Sequence, residues 1–228
     1  MNAFQHASDQ SLMVYLTDQN TAGDQIDLET HQRVLKLLRL LDAEPLTGVR
    51  NLHPAYHSIL IVFDPLAQDH ETLEASLTEY LARLDSVALP NPRTVEIPVH
   101  YGGGHGPDLA DLAALHDLTP ERVIELHSGA SYVVYFIGFV PGFAYLGGLP
   151  PELATPRLEA PRKRVPKGSV AIGGAHTGIY PFETPGGWRI IGRTPLEIFD
   201  PDSAELSRVR IGDHVRFTPV ASHQGDGA

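Results

Sequence analysis

This sequence predicts an α+β protein built as two units, a reading that rests on how its apolar residues, prolines and glycines are spaced. The N-terminal part alternates β-prone runs with helical stripes in the order βαββα. A proline-rich break, Leu89-Pro90-Asn91-Pro92, then disfavours helix and removes backbone donors. Beyond it, paired glycines and prolines separate short apolar runs at the spacing of a closed or nearly closed β-barrel. The expected division is an α+β domain over residues 1–92 and a barrel domain over 93–228.

Ser11 to Thr17 (SLMVYLT) reads as a short strand. Leu28, His31, Val34, Leu35, Leu38 and Leu41 then follow at the spacing of one helix face, with Asp27 as N-cap. Gly48 to Leu52 and the β-prone Ser58 to Phe63 come next, stopped by Asp64-Pro65. A second helical stripe runs through Leu73, Leu77, Tyr80, Leu81 and Leu84. Arg93 to Tyr101 either completes a ferredoxin-like βαββαβ unit or opens the barrel, and the break before it favours the barrel.

In the second unit, a glycine-rich turn at Gly102–Gly106 leads into a helix over Pro107 to Leu118, with Leu109, Leu112 and Leu115 as its buried stripe. Thr119 as N-cap and Pro120 at the first helical position announce another helix. Tyr132 to Phe139, Val165 to Ile172, Trp188 to Ile191 and Leu196 to Phe199 are the expected barrel strands. The last residues, His223 to Ala228, read as a frayed tail.

Composition narrows the function classes. Lys and Arg number 17 against 28 Asp and Glu, and the resulting formal net charge of -11 opposes nucleic acid and anionic membranes as partners. The absence of cysteine excludes disulfides and thiolate metal sites. Neither a signal-peptide pattern nor an apolar run of spanning length is present, so a cytoplasmic protein is expected. The histidines form no HExxH motif, and no metal is expected.

Phe136 to Asp200 packs turns, aromatics and cations more densely than a core requires and reads as a site. Arg157, Arg162, Lys163, Arg164 and Lys167 face the single acid Glu159, a local reversal of charge that suits an anion. Arg162, framed by Pro161, is the preferred anion contact, while Lys163 and Arg164 read as solvated charges. His127 and His176 each neighbour a hydroxyl and can act as acid or base near neutral pH. Tyr145 and Tyr180, beside Gly and Pro turns, are expected pocket walls, whereas Phe139 and Trp188 read as core filling. The turn GGGHGPDL has the outline of a phosphate cradle but matches no nucleotide-binding motif, and a structural turn is the better reading. No GxSxG elbow is present.

The segments GFVPGFAYLGGLP, PRLEAPRKRVPKGSVAIGG, HTGIYPFETPGGWRIIGRTP and the upstream GPDL resemble the B-subunit family of bacterial ATP-dependent 5-oxoprolinases. That family is also described as allophanate hydrolase subunit 1 and as KipI-like inhibitors of sensor histidine kinases. The resemblance implies an N-terminal α+β domain, a C-terminal cyclophilin-like β-barrel, and ATP with magnesium acting at the level of a complex. It implies two partners, a KipA-like protein whose related barrel completes a shared site, and a lactam-utilisation-like protein. The implied reaction opens 5-oxo-L-proline to L-glutamate. On that reading Arg162 and Arg193 contact anions, His127 and His176 handle protons or orient polar groups, Thr177 and Tyr180 bond substrate, and Phe143 and Tyr145 wall the pocket. Two departures bear on the substrate: His176 stands where the family usually has glutamine, and Gly104 where an acid is common.

Overall fold

The structure is a computed structural model that describes residues 3–17 and 28–220. The expected cap Asp27 and the tail from His223 lie outside the described residues. The chain divides into two compact units, Met1–Asn91 and Pro92–Ala228.

The first unit holds strands β1 (Phe4–Ser8) and β2 (Ser11–Tyr15), helix α1 (Leu28–Ala43), strands β3 (Val49–Pro54) and β4 (Ser58–Phe63), and helix α2 (His70–Ala82). Its antiparallel sheet runs β1-β2-β4-β3. Register sets Leu12 against Ile61 and Val14 against Ile59, and these inward residues meet Val34, Leu37, Leu73 and Leu77 of the helices in one core. The period-2 and period-3.6 patterns thus bury matching faces. Asp69 caps α2 by accepting from the Thr72 amide at 2.8 Å. Beside β2, the place a final ferredoxin-like strand would take is filled by β1, from the N-terminal side. Sequence reading missed β1 because FQHAS is an edge strand that buries almost nothing, leaving no periodic apolar signal.

The second unit opens with β5 (Thr94–Tyr101), followed by α3 (Leu109–Leu115), α4 (Pro120–Gly129), β6 (Tyr132–Ile137), β7 (Ala144–Gly147), β8 (Arg162–Val165), β9 (Ser169–Gly173), β10 (His176–Ile179), β11 (Thr184–Gly186), β12 (Arg189–Arg193) and β13 (His214–Pro219). Seven of these strands close a barrel in the order β10-β7-β6-β13-β5-β12-β9. Strand β5 pairs with β12 and, in parallel, with β13, so it belongs to the barrel. Thr119 caps α4 as expected, accepting from the Arg122 amide.

Alternate residues of the barrel wall feed two different cores. Ile97, Val134, Leu146, Val170, Ile172, Ile191 and Val215 belong to the barrel's main core together with Leu112 of α3 and Val123 of α4. Phe143, Ala171, Tyr180, Trp188 and Ile190 form a second core with Val165, on the opposite side of the wall. The separate β8–β11 ribbon lies against that second core through Val165.

Several expected elements are corrected. Val165 to Ile172 is not one strand: Pro166-Lys167-Gly168 turns the chain between β8 and β9, with Gly168 at φ 80°. Leu196 to Phe199 forms no strand beyond the single bridge Phe199–Ser207. Leu115 is 58% exposed, because α3 stops there and Asp117 turns the chain at φ 53°. Strand β6 ends at Ile137, leaving Phe139 in the turn that follows.

Candidate functional site

The second core is an aromatic cluster on the outer face of the barrel. Phe143 sits at its centre, with ring centroids 5.0 Å from Tyr145, 5.1 Å from Tyr180 and 5.4 Å from Trp188, all steeply inclined. Edge-to-face packing of this kind aligns positive ring edges with negative faces. Glycine makes it possible: a Cβ on Gly173 would lie 2.6 Å from the Trp188 ring, and one on Gly178 would lie 3.0 Å from Phe143 and 3.1 Å from Trp188. Phe143, Tyr180 and Trp188 are buried, while Tyr145 is half-buried and stacks on Phe136 at 4.3 Å.

Two arginines border the cluster. The exposed Arg157 guanidinium lies 5.9 Å from the centre of the Trp188 ring. Its charge also acts on Tyr145, Tyr180 and His176. Burial, reinforced by Arg157, pushes the His176 imidazole below its ordinary pKa and favours the neutral ring. Burial raises the Tyr145 and Tyr180 phenols, so both stay protonated.

Arg162 is fixed from behind. Its Nη2 donates to Asp108 Oδ1 at 2.6 Å, and the Ile190 amide donates to Asp108 Oδ2 at 2.7 Å. Asp108 is buried and ties the GPDL segment to β12 and to Arg162 at once. Gly106 allows this docking, since a Cβ there would meet the Ile191 carbonyl at 2.1 Å. Nη1 of Arg162 is buried and makes no hydrogen bond among the described residues. The amides of Gly102, His105, Gly106 and Asp108 all bond backbone carbonyls, so the glycine turn is structural, in line with its sequence.

His127 and Thr177 take a different place. Both are 0% exposed. The Tyr101 hydroxyl donates to His127 Nδ1 at 2.7 Å, His127 Nε2 donates to Thr177 Oγ1 at 2.9 Å, and Thr177 Oγ1 donates to the Ala171 carbonyl at 3.0 Å. This chain of donors uses one tautomer of a neutral imidazole, and burial pulls its pKa down to about 3. His127 therefore holds the barrel together and cannot exchange protons with a ligand, and Thr177 cannot bond one.

The expected site residues thus separate. Phe143, Tyr145, Tyr180, His176 and Arg162 gather at the outer cluster, and among them Tyr145, His176 and Arg162 reach the surface. Phe143 and Tyr180 support the floor from beneath, so the direct substrate bond expected of Tyr180 lacks access; its hydroxyl lies under β11, where a Cβ on Gly186 would meet it at 2.3 Å. Arg193 lines another hollow, with Lys167, Glu183 and Leu196. Lys167 lies against Glu197 and Arg164 near Glu183, both as exposed surface pairs. Sequence reasoning counted Arg157 only as one cation of five and gave Asp108 no part in holding Arg162, because these links join residues far apart in the chain. What the surface offers is an aromatic face, a cation, a neutral imidazole and a fixed guanidinium, a set that suits a small planar or cyclic ligand carrying a negative charge.

The chain is thus an α+β protein whose closed seven-stranded barrel carries an aromatic face on its outer wall. Residues 3–209 match the family described as carboxyltransferase domain, subdomain C and D, and the chain belongs to that family. It is 46% identical over 197 residues to the B subunit of the 5-oxoprolinase of Escherichia coli O157:H7, covering 85% of this chain and 88% of that one. It is 37% identical over 209 residues to the B subunit of the 5-oxoprolinase of Bacillus subtilis (strain 168), covering 87% of each. Among solved structures, the crystal structure of TTHA0988 superposes with a TM-score of 0.79 at 33% identity, over 94% of this chain. This chain spans 40% of that longer protein.

Proposed function

We propose that the chain is one component of an ATP-dependent 5-oxoprolinase complex of the cytoplasm, which opens 5-oxo-L-proline to L-glutamate. Its partners are a KipA-like protein and a lactam-utilisation-like protein. The observation that carries this reading is the match, over more than four-fifths of the chain, to proteins named as the B subunit of 5-oxoprolinase. The outer face supplies a chemical rationale. Arg157 holds the carboxylate, the Tyr145 ring packs on the apolar edge of the lactam, and the neutral His176 hydrogen-bonds its amide. Arg162 adds donors at a position Asp108 keeps rigid.

Overall, water adds to the lactam carbonyl carbon and the ring C–N bond breaks, with the nitrogen taking a proton to leave as the amine of glutamate. An unstrained amide is a poor electrophile, and the hydrolysis of ATP supplies the activation. In the glycine turn, the amides of Gly102, His105, Gly106 and Asp108 are already bonded to backbone carbonyls and do not serve a triphosphate. Among the described residues, no group of three or more His, Asp or Glu could hold a metal. We therefore assign the nucleotide and its magnesium to one of the partners, and to this chain the binding and orientation of the lactam.

The test is release of glutamate from 5-oxo-L-proline with ATP, by this chain alone and then with the KipA-like and lactam-utilisation-like partners. Glutamate from the full mixture alone is the expected result. None from a verified complex would overturn the reading and bring allophanate chemistry or kinase binding forward.

A further inference from the structure

Phe139 occupies a backbone conformation that neither local preference nor burial explains. It lies at φ 68°, in a three-residue turn closed by the Val140 amide donating to the Gly138 carbonyl at 2.8 Å. Such turns are strained for any residue with a Cβ. Glycine would adopt this φ freely, and the chain places glycines close by at positions 138 and 142. Burial does not offset the strain, because the phenyl ring is 61% exposed. The turn itself is fixed by its backbone: the Phe143 amide donates back to the Val140 carbonyl at 3.1 Å, and the Gly138 amide donates to the Phe143 carbonyl at 3.0 Å. The turn stands the Phe139 ring edge-to-face on Phe143, with centroids 5.7 Å apart and planes at 83°. Phe143 is the centre of the aromatic cluster, so Phe139 sets an exposed ring directly against the middle of that floor.

We propose that Phe139 is a ligand-contacting wall of the outer aromatic site, where its ring covers the apolar face of a small cyclic amide packed beside Tyr145. The inference rests on the lactam reading above and deepens it by naming a specificity residue. Apolar contact of this kind contributes to binding of the ring and not to breakage of the C–N bond, so its loss appears in KM. A phenylalanine serving only the fold would show the opposite pattern, since removing it would disturb stability before kinetics.

The experiment compares Phe139→Gly and Phe139→Tyr with wild type in the assembled complex, and measures the melting of each variant chain. Phe139→Gly relieves the backbone, so the melting temperature is expected to hold or to rise by about 2–4 °C. KM for 5-oxo-L-proline is expected to rise about fivefold to tenfold, with kcat within about twofold of wild type. Phe139→Tyr keeps the ring and should restore KM to within about twofold of wild type. An unchanged KM in Phe139→Gly would overturn the proposal, as would a fall in melting temperature accompanied by equal losses in kcat and kcat/KM.

A wild-type complex without glutamate release would overturn the lactam reading separately. In that case the fluorescence of Trp188, the single tryptophan of the chain, reads binding of 5-oxo-L-proline directly. Quenching in wild type and Phe139→Tyr but not in Phe139→Gly supports Phe139 as a ligand wall whatever the reaction. No quenching in wild type overturns it.

Discussion

The two sides of the barrel wall use histidine in opposite ways. Inside, His127 is sealed between Tyr101 and Thr177, each ring nitrogen has one partner, and burial pulls its pKa to about 3. Outside, His176 is half-buried within the field of Arg157, and its pKa is lowered by partial burial and by that charge. The same residue type thus serves as a fixed strut on one face and as an accessible polar group on the other. A hydroxyl beside each histidine in the sequence made the two look alike, and only their access to solvent separates them.

Removing the strut should give the largest effect. His127→Ala leaves a cavity, strands the Tyr101 hydroxyl and removes the donor to Thr177 Oγ1, which keeps its own bond to the Ala171 carbonyl, and is expected to cost about 3–5 kcal/mol. Urea denaturation of the chain measures it, and a cost below about 1 kcal/mol would break the assignment of His127 to the core. Next comes Asp108→Ala, which orphans the Ile190 amide and leaves Arg162 without its counter-charge. Discounted for the partial exposure of Arg162, the expected loss is about 2–3 kcal/mol, again read from denaturation, together with a raised KM in the complex.

Acid should distinguish the two faces without any mutation. The folded pKa of His127 is depressed below its unfolded value, so the unfolded chain binds the extra proton and stability falls as pH falls below about 6.5 towards 3. Between pH 7 and pH 5 the histidine's contribution is a loss of about 2 kcal/mol. In His127→Gln that part of the pH dependence should vanish; a denaturation profile that keeps its full slope would show that another group carries it.

On the outer face the effects should move from stability to kinetics. Arg157→Ala is expected to change stability by less than about 1 kcal/mol, since the side chain is exposed, while raising KM about tenfold or more in the complex. An unchanged KM would remove Arg157 from the site. The smallest stability effect belongs to His176→Gln, within about 0.5 kcal/mol of wild type. Because an amide does not titrate, that variant should flatten the lower limb of the pH–rate profile if His176 must be neutral for activity. An identical profile would assign the limb elsewhere.

Legibility followed signal strength. The strand Ser58–Phe63, the two helical stripes of the first unit and the Thr119-Pro120 helix start were readable because period, cap and breaker agreed. Strands β7 and β10 escaped because AYLG and HTGI are four residues long and carry glycine where aromatic rings cross them. Strand β13 is ordered by parallel pairing with β5, more than a hundred residues away, and no local pattern encodes that. Tyr145, His176 and Arg162, singled out by the density of turns around them, all come to the outer face of the barrel. Arg193 shared that sequence neighbourhood but lines a different hollow, since β12 carries its two ends to different places on the barrel.

The sequence alone determined the α+β class, the break between the units, the barrel class of the second unit and the stretch where aromatics and cations concentrate. Tertiary structure decided which residues face inward. A strand's period of two marks a pair of faces, and it identifies the inner one only when the other is polar. Here both faces of the wall are apolar, one packing Val170 and Ile172 in the barrel core and the other packing Ala171 beneath Trp188. With no polar face to label the outside, only closure of the barrel could place Thr177 within it, against His127 of α4, and its neighbour His176 at its surface.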